Sequence, residues 1–198
     1  MARPPHPASP TRYDEYPPPP ALARFVECLW TRAAAPAFLG VPANALTDQR
    51  VALDLVRPGA GERLARVAAE AEPGQRVDRV AAELRAMRNE ALSPPPVVVA
   101  ALAIVADTCG RLAVGPLCAR LGVTRQHLAR VFARHVGISP KTFGRVTRVR
   151  HVIRRAAGHR DVDWGRLALD AGYCDQSHLI GDFGELVGVS PTRWLTEG

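Results

Sequence analysis

Lysine is almost missing from this sequence. Lys141 stands alone beside 25 arginines, so part of the net charge of +7 is a usage bias of arginine over lysine rather than the mark of a partner. Cysteine is sparse and scattered, at positions 28, 109, 118 and 174. No two stand at Cys-x-x-Cys spacing and no histidine neighbours them at ligand intervals, which argues against a metal site and for free thiols in a reducing cytoplasm. Long apolar runs are lacking too. The longest, Val97 to Ala106, is half of the ~20 residues a membrane span needs, and the first twenty residues have no apolar core of the signal-peptide kind. His127, His135 and His151 have no carboxylate or nucleophile at motif spacing, so no catalytic residue, metal or cofactor is expected.

What is present is helical punctuation. Hydrophobic residues make up 47% of the chain, enough for a core. Residues 1–20 hold eight of the 18 prolines and read as an extended or disordered tail. In 21–33, Leu22, Phe25, Val26, Leu29 and Trp30 recur at helical spacing. Residues 36–61 carry Pro36, Pro42 and Pro58 without a long period and read as mostly irregular. Helices follow over Glu62–Ala71 and Gln75–Leu92, the second with Val77, Val80, Ala81, Leu84, Met87 and Ala91 on one face. The linker 93–96, Ser-Pro-Pro-Pro, breaks the chain and sets a boundary between an N-terminal region, 21–92, and a domain over 97–198. Beyond it no strand pattern occurs. An apolar helix runs from Val97 to Cys109 and stops at Gly110; others read at about 114–121, 124–136, 140–157, 164–171, 175–187 and 191–196. The expected class is all-α, with about seven helices in the C-terminal domain and two or three in a partly irregular N-terminal region.

The C-terminal domain repeats itself. Shifting the sequence by 51 lays Thr124 on Asp175, His127 on His178, Leu128 on Leu179, Phe132 on Phe183, Val136-Gly137 on Val187-Gly188, Ser139-Pro140 on Ser190-Pro191 and Phe143 on Trp194. Upstream the shift is 50, with Leu117 on Leu167 and Gly122 on Gly172. Each copy is a short helix, a glycine turn, an N-capping residue and a second helix. Ala119, Ala168 and Ala171 are the small residues expected to let the helices cross. This is helix-turn-helix grammar, in which the second helix enters the major groove of DNA. The two copies lie at about 114–136 and 164–187.

The residues Leu167 to Leu195, LALDAGYCDQSHLIGDFGELVGVSPTRWL, resemble the signature region of the AraC/XylS family of transcriptional regulators, and LCARLGVTRQHLARVFARHVGISPKTF resembles its first motif. The resemblance covers roughly 97–196. It implies two helix-turn-helix subdomains joined by a long helix, here about 140–157, with both recognition helices reaching successive major-groove segments. YPPPPALARFVECLW and FLGVPANALTDQRVALDLV resemble the opening and the end of a sensor domain found before it in some members. The β-rich middle that would hold an effector has no counterpart between Trp30 and Phe38, so the N-terminal region reads as a shortened remnant and argues against a small-molecule effector.

Helical geometry then selects the readers. With Leu128 and Phe132 facing inward, Arg125, Gln126 and Arg130 are expected at bases, since arginine pairs with guanine and glutamine with adenine. In the second copy Gln176 and Ser177 take that place, while Gly181 stands where the family often has an arginine. His127 reads as a packed or capping histidine. Ser139, Lys141, Thr142, Arg148, Ser190 and Arg193 are expected at DNA phosphates, the two serines also capping the helices that follow them. Charge favours the first copy: residues 97–160 carry 12 basic residues against Asp107 alone, whereas 161–198 carry Arg166 and Arg193 against seven acids. The function implied is a cytoplasmic, sequence-specific regulator acting on double-stranded DNA. The alternative is a shortened or decayed regulator that works through RNA polymerase or another regulator and reads DNA weakly.

Overall fold

The structure, a computed structural model, describes residues 35–49, 51–159 and 161–197; the proline-rich tail 1–20 and the amphipathic stretch 21–33 lie outside the described residues. Within them every regular element is helical. Residues 36–61, expected to be mostly irregular, contain α1 (Ala35–Leu39), a 3-10 turn (Ala43–Ala45) and α2 (Leu53–Val56). Each is barely a turn long, too short for an apolar period to register. Pro42 stands as the residue before the 3-10 turn and Pro58 follows the end of α2. Next come α3 (Ala60–Glu70) and α4 (Arg76–Ala86), packed against one another.

The last of these ends six residues before the expected Leu92. Asn89 is the cause. Its backbone N–H donates to the carbonyl of Ala37 at 2.7 Å, and its side-chain oxygen accepts from the N–H of Ala91 at 3.0 Å. That local bonding competes with helix continuation and turns Glu90–Leu92 into a separate 3-10 turn. Val77, assigned to the inner face, is exposed, whereas Ala81 and Met87 are buried.

Seven helices follow: α5 (Pro96–Asp107), α6 (Val114–Leu121), α7 (Arg125–Val136), α8 (Pro140–Ala156), α9 (Trp164–Asp170), α10 (Gln176–Val187) and α11 (Pro191–Glu197). Pro96 suits the first helical position of α5, where no N–H is needed. The helix ends in left-handed Cys109 and Gly110. Only glycine fits at 110, because a Cβ there would collide with the carbonyl oxygen of Gly144. The α5–α6 link thereby lies against the backbone of α8.

Two apolar clusters result. Val98, Ala101, Leu102, Val105, Leu117, Cys118, Leu128, Phe132 and Val136 form one. Val149, Val152, Ala156, Trp164, Leu167, Ala168, Ala171, Tyr173, Leu179 and Phe183 form the other. At 1.5 Å per residue α8 is about 25 Å long, and it serves both: Phe143 near its start packs on the first, Val149 to Ala156 build the second.

Two arginines of α8 fasten the halves together. Arg145 Nε donates to Asp182 Oδ1 at 2.9 Å and its other nitrogens reach the Glu185 carboxylate. The Arg145 side chain is 24% exposed and that of Asp182 10%. The hydrogen bonds from Arg145, and then its charge, hold the Glu185 carboxyl below its ordinary range; that stabilisation is complete above the ordinary range and fades as pH falls through the lowered value. Arg148 donates to the carbonyls of Gly110 and Gly172 and lies 4.9 Å from the centre of the Tyr173 ring, a cation–π contact. Arg145→Ala leaves Asp182 buried without its cation. The expected loss is about 1.5–3 kcal/mol, the worth of a hydrogen bond to a charged group, seen as a lower urea midpoint at unchanged slope. A change under about 0.5 kcal/mol would mean that the pair behaves as a surface ion pair.

Candidate nucleic-acid interface

The two repeats share their turn bonds, the caps of their second helices and an aromatic pair. At the turns, Val123 N–H donates to the Cys118 carbonyl at 3.1 Å and Tyr173 N–H to the Ala168 carbonyl at 2.9 Å. Gly122 and Gly172 have φ of +66° and +80°, a region that glycine enters at no steric cost. Thr124 Oγ1 accepts from the N–H of His127 at 3.1 Å, and Asp175 Oδ1 from the N–H of His178 at 2.8 Å, so both second helices start on a side-chain cap. Phe132 meets Phe143 edge to face at 6.1 Å, and Phe183 meets Trp194 the same way at 6.1 Å, a favoured aromatic geometry.

One expectation about the crossing needs correction. Ala119 is exposed and does not sit between helices. The small residue at the first crossing is Cys118, buried where Ala168 lies in the second unit. The upstream shift of 50 pairs these two positions, so the repeat itself carried the signal.

Leu128, Phe132, Leu179 and Phe183 are fully buried, which turns the opposite faces of α7 and α10 outward. On α7, Arg125, Gln126, Ala129 and Arg130 are exposed. Arg130 Nη2 lies 3.4 Å from Nδ1 of half-buried His127. On α10, Gln176, Ser177, Ile180 and Gly181 are exposed. Ile180 is the large apolar residue of that face, 41% accessible. A side chain added at Gly181 or Gly184 would meet nothing within 4 Å.

The residues expected at phosphates fall into two groups. Ser139 and Ser190 are exposed and cap the helices they precede: Ser139 Oγ accepts from Thr142 N–H at 3.0 Å, Ser190 Oγ from Arg193 N–H at 3.3 Å. Lys141 and Arg193 are exposed beside them, and the half-buried Thr142 hydroxyl bonds Ser139 Oγ at 2.8 Å. Arg148 stands apart, because its guanidinium is directed at protein carbonyls and the Tyr173 ring. Between the two units runs a polar cavity of about 660 Å³. Arg125, Lys141, Arg145 and Arg148 line it with His178, Asp182 and Glu185. The basic side belongs to α7 and α8, the acidic side to α10.

Among the described residues no helix is long and apolar enough to cross a membrane. No curated protein and no solved structure matches the chain. The segment from Leu117 to Glu197, which spans both units, matches the family model of a helix-turn-helix domain. The match covers 117–197, the part of the chain in which the two repeats lie.

Proposed function

We propose that the chain is a sequence-specific transcription regulator that lays α7 and α10 into successive major-groove segments of double-stranded DNA. The observation that carries this reading is the equivalence of the two units. The same caps, turn bonds and aromatic pairs hold both helices, and each keeps a solvent-facing side with hydrogen-bonding residues near its N-terminus. In recognition helices of this kind the N-terminal residues contact base edges. Gln126, Arg130 and Arg125 would read bases from α7, and Gln176 and Ser177 from α10, with arginine suited to guanine and glutamine to adenine. Ser139, Lys141 and Thr142 at the start of α8, and Ser190 and Arg193 at the start of α11, would bind flanking phosphates. Arg148 contributes to that field by its charge, its hydrogen bonds being committed to the joint between units.

A second reading has an observation of its own. The outward face of α10 offers Ile180 and two glycines rather than a cation, and its half of the domain is acidic. That surface suits a protein contact, with RNA polymerase or a second regulator, better than a phosphate backbone. Selection of bound sequences from random duplexes separates the two, with affinity followed by fluorescence anisotropy at two salt concentrations. A recovered motif with a steep salt slope supports DNA reading, and its length tells whether one helix or both read bases. Weak binding with no enrichment moves the function to a protein partner.

A further inference from the structure

The two helix-turn-helix units meet without a common apolar core. Among the described residues no side chain belongs to both apolar clusters. The space between the units is the polar cavity, with Arg125, Lys141, Arg145 and Arg148 on one side and Asp182 and Glu185 on the other. Besides the run of α8, three arginines join the units. Arg148 bridges the carbonyls of Gly110 and Gly172 at 2.9 and 3.4 Å. The stem of Arg111 lies against Gly172, where a Cβ would come within 2.8 Å of it. These two hold the turn that precedes α10. Arg145 grips α10 itself, through Asp182 and Glu185, which stand three residues apart and are neighbours on the surface of that helix.

Two contacts on one helix fix a direction as well as a distance. The guanidinium presents its donors in a rigid, planar fork, so bonding both carboxylates sets how α10 lies against α8. Asp182 strengthens the hold. It is 8% exposed, and its Oδ2 is buried with no hydrogen-bond partner among the described residues, so Arg145 is the cation that balances this buried charge. Without that cation the carboxylate has to gain water, and the units would part at the cavity that Asp182 lines. We propose that Arg145 is a specificity-determining residue. By fixing α10 against α8 it sets the separation and angle of α7 and α10, and so the number of base pairs between the two segments they read. The inference rests on the reading given above, in which both helices enter DNA. One base pair shifts a half-site by about 3.4 Å along the duplex and turns it by about 35° around the axis. A joint held by Arg145 resists such a step, and a joint without it follows more readily.

The test uses the full chain and the duplex it selects, together with duplexes in which one base pair is inserted between the half-sites or removed. The readout is the ratio of two affinities measured on one protein by fluorescence anisotropy. A loss of folded fraction or of charge weakens every duplex alike and cancels in that ratio. The native chain should bind the altered spacings about tenfold or more weakly, and in Arg145→Ala that penalty should shrink to about threefold or less, because protein geometry sets half-site spacing. Glu185→Gln, on an exposed carboxylate, removes one arm of the contact and should shrink the penalty part of the way. It decides the question if Arg145→Ala does not fold. A native penalty left unchanged by Arg145→Ala, or by Glu185→Gln in its place, overturns the proposal and leaves the reading of two helices in DNA standing. So does a native chain indifferent to spacing. A selected motif with a single half-site overturns both.

Discussion

Phe132→Ala and Phe183→Ala should each cost about 3–5 kcal/mol, the range for deleting a fully buried aromatic ring, and the damage should stay in one half. Both rings are wholly buried. They occupy separate clusters that share no buried residue, and each supports one edge-to-face pair, with Phe143 or with Trp194. The second cluster rests on short elements, since α9 and α11 have seven residues each. Helices of that length are not stable alone and depend on the Phe183 ring for cohesion. Amide exchange under native conditions reports such local opening. In Phe183→Ala, protection is expected to fall over α9 to α11 while α5 and α7 keep theirs; Phe132→Ala should give the reverse. Equal loss over both halves in either variant would mean that α8, with Arg145 and Arg148, couples them into a single cooperative unit.

How much of this could be read in advance differs sharply along the chain. From Val97 onward helix ends were legible to within a residue or two, because most are marked by chemistry: Pro140 and Pro191 at first positions, Thr124, Ser139 and Asp175 as caps, Gly137 and Gly188 as stops; Pro96, read as linker, is the first residue of α5. The exposure of Gln126, Arg130, Gln176 and Ser177 followed from the burial of residues at helical spacing around them. Before Pro96 the two longer helices were legible, within two residues except at the end of α4, and the one-turn elements were not. The early end of α4 depends on Asn89 meeting Ala37, about fifty positions earlier, and no local pattern encodes that bond. Arg148 was expected at a DNA phosphate; the carbonyls of Gly110 and Gly172 that its guanidinium also meets come from two other links of the chain, which no local pattern announces. The cavity of about 340 Å³ that His135 and Val136 line together with Leu39, Leu53 and Val56 was illegible for the same reason, since its walls lie some ninety residues apart.

The division of labour proposed for α7 and α10 can be tested by loss on one and gain on the other. Arg130→Ala should weaken binding to the selected sequence by about 1–3 kcal/mol, the worth of a bidentate arginine–guanine contact, and relax the preference at one base pair. Gln176→Ala should cost less, because it belongs to the half with two basic residues against seven acids, where phosphate attraction adds little. Gly181→Arg is the informative gain. Position 181 lies exposed on α10 with open space around it, so an arginine there displaces nothing, and replacing a helical glycine stabilises by up to about 1 kcal/mol. If α10 lies in the groove, the new cation should tighten binding about tenfold or more and steepen the salt dependence by about one unit. If the added arginine raises stability alone and leaves both affinity and salt slope where they were, α10 does not approach DNA. Equal losses from Arg130→Ala and Gln176→Ala would remove the asymmetry altogether. The two substitutions thus measure different things on the same helix: Gln176→Ala asks whether α10 reads, and Gly181→Arg asks whether it is near enough to read.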